Sequence, residues 1–432
     1  MTDFSTRERF IPVDKGELVN QLSHSAFLAA EDRENYFLFS KLLGSYFHFE
    51  FHAKTEDLNQ SYLPFNPDSD KLTTQNISLA ECAGHEDQLM SIFKGVLNQA
   101  NYQQISEKDL SYAVHQESLL KLNLYVDFDD FENQLVFRRG SRTHQIERKK
   151  GLFKKETSTI TVYDRVALII KYKDEAYFAA AEREKLNFQP GTMIVKLFKN
   201  IPKGDLEMLF PNAQVRMKMK DKLLMGGIAV GAGTMVMLKA GAGLIAMGGI
   251  LWLMTRSMIA SGGEIPTLGP VEISGMVGGA TALAAIGAFL FKQWNGYKNR
   301  KIKFMKTLGD SLYFKNLDNN AGVFYHIIAD AEEEEFKEAL LGYLFLLKSE
   351  VGLTASELDT AIEDWFTETY ATSINFEIAD ALDKLKRLKL CHISGNDQAG
   401  KLRWKALPWA DACRQLNQLW DDFFQVHLPD AP

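Results

Sequence analysis

The sequence predicts an α+β protein interrupted by a transmembrane helical hairpin, with a helical and α+β N-terminal domain and a winged-helix-like C-terminal domain. Three observations carry this. Hydrophobic residues make up an ordinary 46% of the 432 positions, yet they concentrate between Leu223 and Phe291. Upstream, the apolar period changes from helical to alternating after Lys121. Downstream, the order helix, helix, helix, β-hairpin, helix follows the winged-helix plan. The boundaries that follow are 1–120 (helical), 121–215 (mostly antiparallel β with a short helix), 223–292 (hairpin) and 300–432 (winged-helix-like).

In the first region, Glu17–Leu28 and Asp32–Phe51 place apolar residues such as Leu38, Leu42, Leu43 and Tyr46 at helical spacing. The loop SYLPFNPDSDK interrupts the pattern, Glu86–Asn98 resumes it, and Ser106 is placed to cap a short helix in ISEKDL. His48 and His52 flank Glu50 four residues apart, but H-x-E-x-H offers no third metal ligand, so core or surface histidines are expected. Strand-like segments follow: LNLYVDF, QLVFRRG, STITVYDRVALIIKYKD and GTMIVKLFKN. Between two of them, Arg138, Arg139, Arg142, Lys149, Lys150, Lys154 and Lys155 make a basic stretch. It is either a solvated hairpin or a contact for anionic headgroups, where each cation adds about 1 kcal/mol. The stretch holds no aromatic stacking platform, and the net charge is −7, so nucleic acid is not an expected partner.

Val271–Phe291 is apolar apart from Glu272 and would span about 31 Å as a helix, the thickness of a bilayer's hydrocarbon. Leu223–Ala260 is too long for a simple span, and Lys239 near its middle would cost at least about 2.5–3.5 kcal/mol at the bilayer centre. One arrangement places a span within Ala240–Ile259, with Lys239 snorkelling and Leu223–Leu238 interfacial or re-entrant. The rival is a long tilted helix lining an enclosed cavity. Basic residues on both flanks, from Arg216 to Lys222 and from Lys292 to Lys306, put both large domains on the cytoplasmic side. The pairs Gly227 with Gly231 and Gly275 with Gly279 permit close helix approach, within the hairpin or between copies. If copies assemble, Lys239 could face a lumen. Gly241-Ala-Gly243-Leu-Ile-Ala246 fits a dinucleotide fingerprint, but inside an apolar run it lacks the strand that the mechanism requires. The N-terminus has no apolar leader, so the first membrane segment is expected to direct insertion. Cys82, Cys391 and Cys413 are widely separated and fit a reducing compartment.

In the last region, Ala321–Ser349 reads as a long helix containing Glu332, Glu333, Glu334 and Glu335, an acidic surface suited to a partner. Asp318 and Asn319 precede it as capping candidates first and as interaction-surface candidates second. Thr354-Ala-Ser-Glu357 is a capping box, Asn375 can cap the next helix, and CHISGNDQAGKLRWKAL reads as two strands around a turn. Glu377, Asp380 and Asp383 open the would-be recognition helix and would repel phosphate, which favours protein contact over DNA.

Three stretches carry a likeness to a known family: RERFIPVDKGELVNQL, VKLFKNIPKGDLEMLFP and SLYFKNLDNNAGVFYHIIADAEEEEFKEALLGYLFL. They resemble the transmembrane protein 143 family, found in bacteria and organelles, which carries a domain of unknown function. The resemblance implies a two-span membrane protein with no assigned reaction and no cofactor. Without an organellar presequence, a bacterial inner membrane is the expected location, or an organellar membrane in a eukaryote. The expected role is a membrane-anchored interaction or scaffold protein whose partners are membrane lipid and another protein or a second copy. The alternative is an oligomeric channel, transporter or permeabilising effector. An enzyme comes third, since no Walker loop, G-x-S-x-G elbow or zinc signature is present.

Overall fold

Apolar spacing determines the helices before the apolar region. In the computed structural model, which describes residues 7–24, 28–69, 79–106, 110, 123–150, 154–178, 186, 188–216, 241, 245–260 and 269–423, helix α1 is Lys15–His24 and α2 is Arg33–Tyr62. Along α2, Tyr36, Phe39, Leu43, Phe47, Phe51, Thr55, Leu58 and Tyr62 recur every three or four residues and are all buried. Helix α3, Leu79–Gln99, buries Leu89, Phe93, Val96 and Leu97 in the same way. After them come strands β1 (Gln103–Gln104), β2 (Asn123–Tyr125), β3 (Phe131–Lys150), β4 (Lys154–Tyr172), β5 (Met193–Pro202) and β6 (Gln214–Arg216). The apolar region contributes α4 (Ile245–Ala260) and α5 (Pro270–Lys315). The chain ends with β7 (Asn316–Asn319), α6 (Ala321–Lys348), β8 (Leu353–Thr354), α7 (Ala355–Tyr370), α8 (Ile378–Arg387), β9 (Cys391–Asn396), β10 (Leu402–Ala406) and α9 (Trp409–Phe423).

The protein is α+β. Among the described residues the main sheet is antiparallel throughout, in the order β1-β3-β4-β5-β7, and a three-stranded sheet runs β8-β10-β9. Strands β2 and β6 pair separately. The chain divides into two units. One comprises 1–115, 128–206 and 315–432; the other comprises 116–127 and 207–314, and so holds the apolar helices. Within the first unit a single core draws on both flanks of the apolar region. Phe39 of α2 stacks on Tyr343 of α6 at 4.1 Å, and Trp409 of α9 meets both rings edge-on.

Helix α6 is the axis of that core, and every residue from Phe336 to Leu346 is buried. Gly342 lets α8 approach closely, since a Cβ there would press on Leu385. A helix surrounded by protein can carry charge only where each charge finds a partner. Glu334 (2% exposed), Lys337 (2%) and Glu338 (1%) meet that demand through distant segments. The amide of Ile11 donates to Glu334 at 2.9 Å, while Lys337 donates to the carbonyls of Ile11 and Val13 at 2.7 and 3.1 Å and pairs with Glu334 at 2.7 Å. The Asn101 amide donates to Glu338 at 2.7 Å. From α8, Lys384 pairs with Glu335 at 3.2 Å, with Asp380 at 2.9 Å and with Glu338.

Three carboxyls thus surround one buried ammonium, Glu335 and Glu338 buried with it and Asp380 at the solvent edge. Burial pushes the Glu338 carboxyl up to about 7 against the pull of Lys384, and it raises Glu335 in the same direction. Burial works against the charge of Lys384, but Glu338, Glu335 and Asp380 outweigh it and keep the ammonium protonated.

Two capping expectations need correction. The segment holding Asp318 and Asn319 is strand β7, because it pairs with β5 through Lys196↔Asn319 and Leu197↔Asp318. The N-cap of α6 is Asn320, with φ +52°, whose amide donates to Val195 at 2.6 Å and whose side-chain oxygen accepts from Tyr62. Asn375 does not cap α8 either; Glu377 holds that position, and the Asn375 amide donates to Glu8. The capping box at Thr354 and Glu357 forms as its sequence dictates, with bonds of 3.3 and 2.8 Å.

Lys384→Met should lower unfolding free energy by about 3–5 kcal/mol at pH 8, because it strands ionised carboxyls in the core; chemical denaturation of the full-length chain measures this. The folded pKa of Glu338 lies above its unfolded value of 4.5. Its contribution is therefore fully present below about pH 4.5 and is lost as pH rises through about 7. The stability of the wild type relative to Glu338→Gln should fall by up to roughly 3 kcal/mol between pH 4.5 and 8. A difference that does not change with pH would contradict the assignment.

Candidate functional site

Two features stand apart from the core: the apolar helices and a polar cleft. Among the described residues one helical stretch, Pro270–Gly296, is long and apolar enough to cross a membrane; it has a mean hydropathy of 1.7 and is 11% buried over its most apolar window. Helix α4 is apolar but shorter. Large side chains project outward without protein cover, including Leu253, Ile259, Val271 and Phe291, the second of them 84% exposed. The hydroxyls on these helices turn back onto their own backbone: Thr255 donates to Leu251, Ser274 to Val271 and Thr281 to Gly278, at 2.8–2.9 Å. Gly275 and Gly279 are where α5 meets α4. A Cβ at the first would collide with Ile250, and one at the second with Met247. Lys239, Gly227 and Gly231 lie outside the described residues.

The charged residues singled out by the sequence separate into different environments. Glu334 and Glu335 do not form a surface, since the core closes over them and Lys337 and Lys384 answer their charge. Glu332 and Glu333 reach the edge of the core and already have partners, His48 at 2.9 Å for the first and Lys337 at 3.2 Å for the second. His48 itself is largely exposed. Among the described residues no three His, Cys, Asp or Glu side chains gather as a metal site. Asp318 pairs with His326 at 3.2 Å, and its carboxylate fills the space a side chain would need at Gly322.

The basic stretch occupies β3 and β4. Arg138 is not part of an open basic face: it donates to Gln103 at 2.7 Å and lies 3.5 Å from Glu8. Arg139 pairs with Asp330 at 3.0 Å between the rings of Phe10 and Tyr102. Burial opposes the charge of Arg139, yet Tyr102, Asp330 and Glu334 raise its pKa. Burial, with Asp330 beside it, holds the Tyr102 phenol well above its ordinary value. Arg142 pairs with Asp164 at 3.0 Å and stays mostly exposed. In the backbone register Lys149 is paired with Lys155 and Lys150 with Lys154, at the far end of the β3–β4 ladder. Gly140, at φ +68°, is required here, because the Asp164 carboxylate lies where its Cβ would be.

The segment Phe10–Asp14, the exposed end of β3–β5 and the middle of α6 together line an open cleft of about 610 Å³. The sequence expectations included its β3 arginines but missed its β4 and β5 contributions, Arg165 and Lys199, which alternation alone does not set apart from other strand cations.

Residues 163–322 match the model of a family described as a protein of unknown function, DUF3754. The matched range runs from the middle of β4 to the start of α6 and includes Arg165, Lys199 and the apolar helices. No solved structure matches this chain.

Proposed function

We propose that this chain is a membrane-anchored interaction protein whose apolar region crosses a bilayer as a hairpin, within Ala240–Ile259 and Val271–Phe291. The observation that carries the reading is the shared core. Residues before and after the apolar region fold into one unit, so the region must leave and return on the same side of a bilayer. An even number of crossings satisfies that demand, and the basic flanks support the cytoplasmic side as the shared one. The low burial of Pro270–Gly296 and the internally bonded hydroxyls suit a lipid environment. The resemblance to the transmembrane protein 143 family points the same way, and a bacterial inner membrane remains the proposed location.

The part proposed to meet a protein partner is the C-terminal segment. Its order α6, β8, α7, α8, β9, β10, with the sheet arranged β8-β10-β9, supports a winged-helix reading. Helix α8 occupies the recognition position. Its Ala381, Leu382 and Leu385 are buried, while Glu377, Asp380 and Asp383 give it an acidic start that disfavours phosphate.

After cell breakage the full-length protein should stay in the membrane pellet through an alkaline carbonate wash and be released by detergent. Recovery in the aqueous fraction would defeat the proposal. In a cysteine-free background, the Met247→Cys, Gly279→Cys pair should cross-link within one chain, as packing inside the hairpin requires. A disulfide formed between copies instead would favour the oligomeric channel or transporter.

A further inference from the structure

The core-facing side of the main sheet changes chemistry at one rung. Across β3, β4 and β5 the paired positions run Leu135–Ile169–Val195, then Phe137–Ala167–Leu197, then Arg139–Arg165–Lys199. Residues paired across antiparallel strands project to the same face. Two apolar rungs that cover the core are thus followed by a rung of three cations, and like charges directly opposite one another are unfavourable. The cationic rung opens onto the cleft of about 610 Å³, a volume typical of small-molecule sites.

The acids of the cleft already have donors. Asp330 takes Arg139 at 3.0 Å and the Tyr102 hydroxyl at 2.9 Å, and Asp164 takes Arg142 at 3.0 Å. Glu333 and Glu334 share Lys337, and Asp14 accepts the Gly16 amide at 2.8 Å. The side chains of Arg165 and Lys199, both half-buried, make no ion pair or hydrogen bond among the described residues. A fold that gives every acid around the cavity a donor and leaves two facing cations without an acceptor offers a seat for an anion.

We propose that the cleft binds a phosphate group borne on a small organic molecule, with Arg165 and Lys199 as its direct charged partners. A guanidinium beside an ammonium suits phosphate oxygens, one by forked hydrogen bonds and the other as a compact charge. The cavity exceeds a bare phosphate, and Phe10 and Pro12 offer apolar wall for the rest of the molecule. The phosphate can come from a lipid headgroup or from a soluble ester. The inference stands whether or not the apolar helices enter a bilayer.

The test is thermal melting of the full-length chain in detergent with three probes: inorganic phosphate, glycerol 3-phosphate and mixed micelles containing phosphatidic acid. Chloride at equal ionic strength and phosphatidylcholine micelles are the controls. At saturation the melting temperature should rise by about 2–4 °C. Arg165→Gln/Lys199→Gln should respond at least tenfold more weakly. Without anion it should melt no lower than the wild type, because the opposed charges are gone. Lys199→Gln alone should retain part of the response. A response to the soluble probes assigns a soluble ester, and one confined to phosphatidic acid assigns a headgroup. No response to any probe, or an equal response in the double variant, overturns the proposal.

Discussion

The structure depends on how charge is neutralised in the middle of α6. That helix is enclosed by protein on all sides through its second half, and at the entrance to the enclosed stretch it carries Glu334, Glu335, Lys337 and Glu338. Leaving one such charge unpaired would cost several kcal/mol, a large part of a typical domain's stability. The partners come from Ile11 and Val13 near the N-terminus, from Asn101 after α3 and from Lys384 in α8. Satisfying the helix therefore fixes the position of segments more than 300 residues apart.

The consequence for the apolar region is topological. It is an insertion in a chain whose two ends meet in one core, not a linker between two independent domains. The residues that would seal it in a water-soluble protein are absent from its described surface, where Leu253, Ile259 and Phe291 stand uncovered. The hydrophobic effect disfavours that exposure in water, which is what the proposed bilayer environment would relieve.

Much of this was legible in the sequence. Alternation marked β3, β4 and β5, helical spacing marked α2 and α6, and the capping box fixed the start of α7 to the residue. Local signals failed where the answer lay in distant contacts. A run of four glutamates reads as a solvated face, because nothing nearby announces that Lys384 and the backbone of Ile11 will cover two of them. The one local hint was Lys337, an isolated cation three and four residues beyond Glu334 and Glu333. Asp318 and Asn319 look like caps, yet the cap falls one residue later, since β5 recruits Asn316–Asn319 as an edge strand. The cationic rung was equally hidden, because Arg139, Arg165 and Lys199 become neighbours only once strand register is known.

The central claim, that one cooperative core joins both flanks through the charges of α6, is tested most directly by native-state hydrogen exchange on the full-length protein. The account predicts that the Ile11 amide, bonded to Glu334, and the amides of Phe336–Leu346 open with the same free energy and lose protection together in Lys337→Met. An Ile11 amide that exchanges freely while α6 stays protected would contradict it.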